Sequence, residues 1–134
     1  MEFKTMRSGL IASGLMNIGG VLVFSRLFTN QAINDADPFV MSNFGLLMIV
    51  IWGLAYLGAA ASGVHLKWLA GAFAVEKLAY VAVWLAWHSK NSVAQLYSTD
   101  AFAGIFYAIY GLNDLVFMVL FAWIFLARPS VRPA

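Results

Sequence analysis

Charged residues are scarce in this sequence and cysteine is absent: eight Lys and Arg and six Asp and Glu are the only formal charges among 134 residues. Without cysteine the chain has no disulfides, thiolate metal ligands, c-type haem attachment or cysteine nucleophile. A soluble helical bundle needs a polar face on every helix, and so few charges cannot provide four of them. Hydrophobic residues make up 63% of the chain. The composition therefore predicts an integral membrane protein with the lipid bilayer as its main partner.

Other chemical signatures are missing as well. The eight Lys and Arg are scattered along the chain, so we expect no nucleic-acid partner. The sequence has no phosphate loop, dinucleotide fingerprint or cluster of metal ligands. His65 and His88 fall at opposite ends of one apolar run, too far apart to share a metal or a haem. We predict no cofactor, no metal site and no catalytic residue, and a hydrolase or kinase is disfavoured.

Four apolar runs are each long enough to cross a bilayer, which takes about 20 helical residues. They cover residues 8–28, 38–62, 66–88 and 101–127. This pattern predicts an all-α integral membrane fold, a four-transmembrane-helix bundle in up-down-up-down order. The four runs consume most of residues 1–134, so a single domain is expected.

Local signals mark several helix ends. Asp37 followed by Pro38 suits an N-cap and first turn for the second helix, and residues 98–100 offer caps for the fourth. Gly63 is placed to end the second helix in a tight turn. We therefore expect the second and third helices to be antiparallel neighbours, and Gly9, Ser13, Asn17 and Gly20 to allow close packing of the first helix.

The connecting segments 29–37 and 89–100 are polar and are predicted to be loops. Arg26, at the outer end of the first helix, is expected to reach water or to pair with Asp35 or Asp37. The first apolar run is longer than a signal-peptide core and lacks an obvious cleavage site, so it is interpreted as a membrane helix.

The distribution of basic residues predicts the orientation, because cytoplasmic loops of membrane proteins are enriched in Lys and Arg. With the N-terminus inside, five basic residues face the cytoplasm and two face outward. The five are Lys4, Arg7, Lys67, Arg128 and Arg132, and the two are Arg26 and Lys90. We predict a multi-pass protein of a bacterial inner (plasma) membrane with both termini cytoplasmic.

Three charged residues fall deep within the apolar runs. Each costs roughly 2.5 to 3.5 kcal/mol to insert on translocon scales. Glu76 and Lys77 lie in the third helix, and Asp114 lies at a similar depth in the fourth. We expect these residues to face neighbouring helices, with Lys77 in an ion pair with Asp114 or Glu76.

Polar and aromatic side chains share this depth, and together with the charges they define a candidate ligand-binding site. The predicted site consists of Glu76, Lys77, Asp114, Tyr80, Tyr110, Trp52, Tyr56 and Asn17. Such a set suits a small lipophilic or cationic molecule, bound or transported, with protonation of Glu76 as a coupled event. The structural alternative is a buried ion-pair network that only fixes helix pairing.

Two other functions compete with a binding pocket. The chain can be an accessory subunit of a larger membrane complex that uses its charges for docking, or a membrane isomerase with Glu76 or Asp114 exchanging protons with an apolar substrate. If the chain is a small-molecule-binding bundle, we expect it to self-associate. Small multidrug-resistance pumps also have four helices, but they carry their membrane carboxylate in the first helix, where this chain has none.

The fourth helix carries a family resemblance. Its stretch Gly111-Leu112-Asn113-Asp114-Leu115-Val116-Phe117, followed by Leu120-Phe121, resembles the last helix of small bacterial four-helix membrane proteins of the BphX-like kind. The length, the helix count and Lys77 in the third helix fit the same group. The resemblance implies a membrane protein of unassigned function and adds no catalytic residue.

Overall fold

The computed structural model describes residues 2–127, which form six α-helices and no strand. The helices are α1 (Phe3–Phe24), α2 (Gln31–Ala36), α3 (Asn43–Ala61), α4 (Lys67–Lys90), α5 (Val93–Thr99) and α6 (Ala101–Leu126). Four of them, α1, α3, α4 and α6, are long and apolar enough to cross a membrane. The predicted all-helical fold and the number of candidate spans are thus confirmed. Arg128 and Arg132 lie outside the described residues.

Two of the predicted helix ends match the structure. Asp100 caps α6, because its carboxylate accepts a hydrogen bond from the Phe102 N–H at 2.9 Å. Gly63 follows the end of α3 with a φ of 75°, a left-handed conformation that glycine adopts without steric cost.

The predicted start of the second long helix was wrong. α3 begins at Asn43, and Ser42 is its N-cap: the Ser42 hydroxyl accepts a hydrogen bond from the Gly45 N–H at 3.0 Å. Asp37 instead caps a turn, since its carboxylate accepts from the Val40 N–H at 3.3 Å and its carbonyl from the Met41 N–H at 2.9 Å. Ser42 has the same capping chemistry as Asp37 and lies next to the apolar run.

α1 also ends earlier than predicted, at Phe24. The next turn contains three consecutive non-glycine residues with positive φ: Arg26 at 48°, Leu27 at 56° and Phe28 at 66°. Each such residue costs roughly 1–2 kcal/mol for L-amino acids. The Ser25 hydroxyl accepts from the Phe28 N–H at 2.9 Å, which helps to hold this strained turn.

Arg26 has a different partner from the one expected. Its guanidinium makes two hydrogen bonds, of 3.0 and 3.2 Å, to the two carboxylate oxygens of Asp100, and it lies 4.7 Å from the centre of the Phe102 ring. Asp35 instead accepts a hydrogen bond from the Gln31 side chain at 2.8 Å. The strained turn directs Arg26 to the start of α6 and away from the segment that carries Asp35.

The polar connections contain the short helices α2 and α5, which were predicted as loops. Both cover one end of the bundle. Ile33 of α2 is fully buried, its carbonyl accepts the Tyr107 hydroxyl at 2.8 Å, and the Ala36 carbonyl accepts the Trp87 indole N–H at 2.9 Å. These tertiary contacts stabilise helices that are too short to form alone.

The second and third long helices, α3 and α4, contact each other as expected, but the closest backbone packing is between other helices. The backbones of α1 and α3 pack closely at Gly14 and Gly53, where a Cβ on either glycine would lie about 3 Å from the carbonyl oxygen of the other. α4 packs equally closely against α6. α3 and α4 meet mainly through large side chains, with the Tyr56 and Phe73 rings 4.7 Å apart, because these aromatic groups hold the two backbones apart.

Two apolar clusters fill the ends of the bundle. One joins the start of α1 and α4 to the end of α3 and α6 and includes Met6, Ala60, Ala70, Phe121 and Ile124. The other joins the end of α1 and α4 to the start of α3 and α6 and includes Val21, Leu46, Trp87, Phe106 and Tyr107. The buried polar residues described below lie between these clusters.

Candidate functional site

The centre of the site is the ammonium group of Lys77, whose residue is only 1% exposed. Lys77 Nζ donates to Asp114 Oδ1 at 2.8 Å and to Asn17 Oδ1 at 2.9 Å, and it lies 5.2 Å from the centre of the Tyr56 ring. The predicted ion pair of Lys77 is confirmed, and of its two expected partners, Asp114 and Glu76, the structure has Asp114. Two hydrogen bonds and an aromatic face compensate the ammonium for its loss of water.

Asn17 is held in place by α3. Its side-chain N–H donates to the Ile49 carbonyl at 3.0 Å, which leaves its Oδ1 to accept from Lys77. The close crossing of α1 and α3 at Gly14 and Gly53 positions this amide, because a Cβ on Gly53 would lie 3.0 Å from the Asn17 Cβ. The α1–α3 crossing therefore fixes one of the two oxygen atoms around the ammonium.

Glu76 does not share the hydrogen bonds of Lys77. Its Oε2 accepts the Tyr56 hydroxyl at 2.5 Å, while the Tyr56 ring lies against Lys77. Glu76 is half-buried, whereas Tyr56 is fully buried. Tyr56 thus contacts both charged residues of α4, one through its hydroxyl and the other through its ring.

A small pocket lies beside Asp114 between α1, α3 and α6. Its volume is about 60 Å³. Its polar lining consists of Asn17, Tyr110, Asn113 and Asp114, and its apolar lining includes Met16, Val21, Phe24, Ile49, Phe106 and Ile109. The pocket has room for a few water-sized groups, much less than the several hundred Å³ of a drug-sized site.

Gly20 helps to keep the pocket open. It lines the pocket, and a Cβ built at this position would meet no atom within 4 Å. Gly20 was predicted to serve close helix packing, and that interpretation was wrong because no neighbouring atom lies within 4 Å of the position that its Cβ would take. Met16 and Ile109, which are 49% and 39% exposed, line the pocket where it reaches the outer surface of the bundle.

The polar groups around the pocket are incompletely satisfied by the protein. Asp114 Oδ1 accepts from Lys77 and, at 3.3 Å, from the Asn113 side chain, whereas within residues 2–127 no group donates to Oδ2. The hydroxyls of Tyr110 and Ser13 are buried without a hydrogen-bond partner among the described residues. Leaving a buried hydroxyl unpaired costs roughly 1–3 kcal/mol. Tyr110 lines the pocket, so a bound molecule can supply its missing partner.

The eight predicted site residues divide into three groups in the structure. Asn17, Tyr56, Glu76, Lys77 and Asp114 form one connected polar cluster. Tyr110 lines the pocket but packs on the aromatic rings of Trp84 and Phe106. Trp52 and Tyr80 lie outside the pocket lining: the Trp52 ring is edge-on to Phe73 at 6.1 Å, and Tyr80 lines a separate apolar groove between α3 and α4.

Apart from its apolar side chains, the pocket lining contains two residues that were not predicted as part of the site, Asn113 and Gly20. Asn113 neighbours Asp114 in sequence, and a polar side chain so deep in an apolar run was a usable signal. Gly20 carried no signal of its own, because its role depends on the space between α1 and α6.

The chain matches no protein-family model, no curated protein and no solved structure. The resemblance of α6 to BphX-like proteins therefore stays a prediction.

Proposed function

We propose that the chain is a four-span membrane protein whose pocket beside Asp114 binds a small molecule with a cationic head and an apolar body. The observation that carries this proposal is the pocket itself: a carboxylate with a free acceptor oxygen, at mid-length of apolar helices, opening between α1 and α6. Charged groups buried in a membrane are costly, and they commonly mark ligand or ion pathways.

An up-down-up-down arrangement in the membrane is part of the proposal. It is supported by the two apolar clusters, which bring the start of α1 next to the end of α3, the start of α4 and the end of α6. Both ends of the described chain then lie on one side. The excess of basic residues on that side favours the cytoplasmic face of a bacterial inner membrane.

The pocket lining indicates the chemistry of the ligand. Its polar end offers the carboxylate of Asp114 and the side-chain amides of Asn17 and Asn113, and Lys77 is already committed to two acceptors. A cationic donor suits an anionic acceptor in a site that excludes water. The remaining lining is apolar, so an alkyl group on the ligand can extend past Met16 and Ile109 into the lipid.

The volume sets the size of the head group. About 60 Å³ admits a primary ammonium with a short piece of its alkyl chain. A bulky aromatic cation would require the helices to separate. We therefore choose hexylammonium as the probe and hexanol, which has the same chain without the charge, as its matched control.

The test compares Gly20→Leu with Gly19→Leu. Both glycines are helical, and a Cβ at either position meets nothing within 4 Å, but only Gly20 lines the pocket. We expect calorimetry in lipid nanodiscs to show hexylammonium binding to the wild type and to Gly19→Leu, and binding weakened at least about tenfold in Gly20→Leu, a change of about 1.4 kcal/mol. Hexanol should bind each of the three proteins more weakly than hexylammonium does.

Two results would contradict the proposed function. Equal affinity of both glycine variants would place the cation outside this pocket. If the folded wild type does not bind hexylammonium, the polar cluster has only a structural role, which is to fix how the helices pair.

A further inference from the structure

We infer that Glu76 is a proton site and that a cation entering the Asp114 pocket releases the proton of Glu76, so that the protein exchanges one cation for one proton. This inference rests on the proposed function and adds the coupled ion. Three charged residues, Glu76, Lys77 and Asp114, lie at mid-length of the long helices α4 and α6. Within residues 2–127, the other charged residues lie near helix ends or in the connecting segments.

The three central charges do not balance. One ammonium, Lys77, faces two carboxylates, Asp114 and Glu76, so the fully ionised set carries one net negative charge. An unbalanced charge is expensive in an apolar medium, and a proton on one carboxylate removes it. Asp114 lies 2.8 Å from the ammonium, whereas Glu76 hydrogen-bonds to a neutral phenol. Glu76 is therefore the carboxylate that carries the proton in the empty protein.

Binding of a cation reverses this balance. A monovalent cation at Asp114 adds one positive charge to the set. The set becomes neutral again when Glu76 loses its proton, with Lys77 still an ammonium and Asp114 still a carboxylate. One cation enters and one proton leaves, so charge is conserved across the exchange.

The surroundings of Glu76 suit both protonation states. Tyr56 of α3 donates its hydroxyl to the carboxylate, and a phenol oxygen can also accept a hydrogen bond from the protonated acid. The other charged or titratable groups that face Glu76 are Lys77 and Tyr80 of α4 and Asp114 of α6. α1 contributes the neutral amide of Asn17 to the same cluster.

The proton site is separate from the pocket. Glu76 is half-buried and hydrogen-bonds to Tyr56 of α3. Glu76 is absent from the pocket lining, which contains Asp114. The cation and the proton therefore occupy two sites that are linked through Tyr56, which contacts Glu76 and Lys77, and through the ion pair of Lys77 with Asp114.

The closing experiment measures protons released as hexylammonium binds, by calorimetry in buffers of different ionisation enthalpy between about pH 5 and 8. We expect about one proton released per cation over part of this range, with affinity rising by up to about tenfold per pH unit there, because linkage is reciprocal. Glu76→Gln should bind the cation more weakly than the wild type does at high pH, with an affinity that does not change with pH and without proton release, and Glu76→Asp should retain the release. Asp35→Asn, which removes an exposed carboxylate, serves as the control and should release the proton like the wild type.

Each outcome has a distinct meaning. Suppose that the wild type binds hexylammonium, that Gly20→Leu abolishes the binding, and that the wild type releases no proton at any pH. This result would overturn the proton exchange and leave the proposed function standing. Release that persists undiminished in Glu76→Gln would assign the proton to another group and overturn the inference as well. Absence of binding at every pH would overturn both proposals.

Discussion

Lys77 and Asp114 form an ion pair of 2.8 Å that joins α4 to α6, with the lysine side chain only 1% exposed. Removal of the lysine leaves the Asp114 carboxylate buried without its cation. Breaking a buried pair in this way costs roughly 3–5 kcal/mol. Lys77→Ala should therefore lower the thermal unfolding temperature in detergent well below that of the wild type.

Lys90→Ala is the matched control for this prediction, because Lys90 is an exposed residue at the end of the same helix. It should unfold within a degree or two of the wild type, since surface substitutions usually change stability by about 0.5 kcal/mol or less. Equal unfolding temperatures of the two variants would mean that Lys77 reaches water.

The crossing of α1 and α3 predicts that Gly53→Ala is destabilising by about 1–3 kcal/mol, as for other overpacked sites. Its new Cβ would lie 2.8 Å from Ile18 and 3.0 Å from the Gly14 carbonyl oxygen, and a backbone atom cannot move aside cheaply. Gly58→Ala, in the same helix with nothing within 4 Å, should be neutral or slightly stabilising. Unfolding of both variants by the same assay checks this, and an equally stable Gly53→Ala would argue against the close crossing.

The contact of Arg26 with Asp100 predicts a pH-dependent contribution to stability. Burial of Asp100 alone would raise its pKa, but the hydrogen bonds from Arg26 and from the backbone N–H groups of Phe102 and Ala103 outweigh burial and lower the pKa. A lowered pKa in the folded state means that the stabilisation is fully present above the unfolded pKa of about 3.9 and disappears as pH falls through the folded value.

Asp100→Asn isolates this charge, because asparagine caps a helix about as well as aspartate. The variant should be less stable than the wild type at about pH 7, by less than about 1 kcal/mol because half of the Arg26 side chain is exposed. The difference should shrink as the pH is lowered below about 4. A difference that stays constant across this range would show that the charge of Asp100 contributes nothing.

The proposed topology predicts that reporters fused to the N-terminus and to the C-terminus are both active on the cytoplasmic side, because basic residues concentrate there. A fusion within the segment that follows Lys90 should report the opposite side. A C-terminal reporter active only on the outer side would overturn the four-span topology.

The long apolar helices were predictable from the sequence, and so was the need of each buried charge for a partner. The four helices that are long and apolar enough to cross a membrane follow from run length. An ion pair of Lys77 with Asp114 or Glu76 follows from the cost of leaving a charge alone in an apolar medium, and the structure has Asp114 as the partner. The cap at Asp100 and the turn at Gly63 follow from local backbone chemistry. The cap and the turn depend on one residue and its immediate neighbours in sequence.

Features that depend on tertiary contacts were not predictable. α2 and α5 are short polar segments whose helical form depends on contacts such as the Tyr107 hydroxyl to the Ile33 carbonyl. The pairing of α1 with α3 depends on Gly14 and Gly53 meeting in space, and the partner of Arg26 depends on a turn with three positive φ values. The open space beside Gly20 is likewise a property of the assembled bundle.

The most direct test of the Asp114 pocket is a crystal structure of the protein in lipid with 6-bromohexylammonium, with the bromine located by anomalous scattering. The account predicts the ammonium within hydrogen-bond distance of Asp114, at about 3 Å, and the bromine between α1 and α6 near Met16 and Ile109. Density for the compound in the apolar groove between α3 and α4, or a pocket that stays empty while the compound saturates the lipid, would contradict the account.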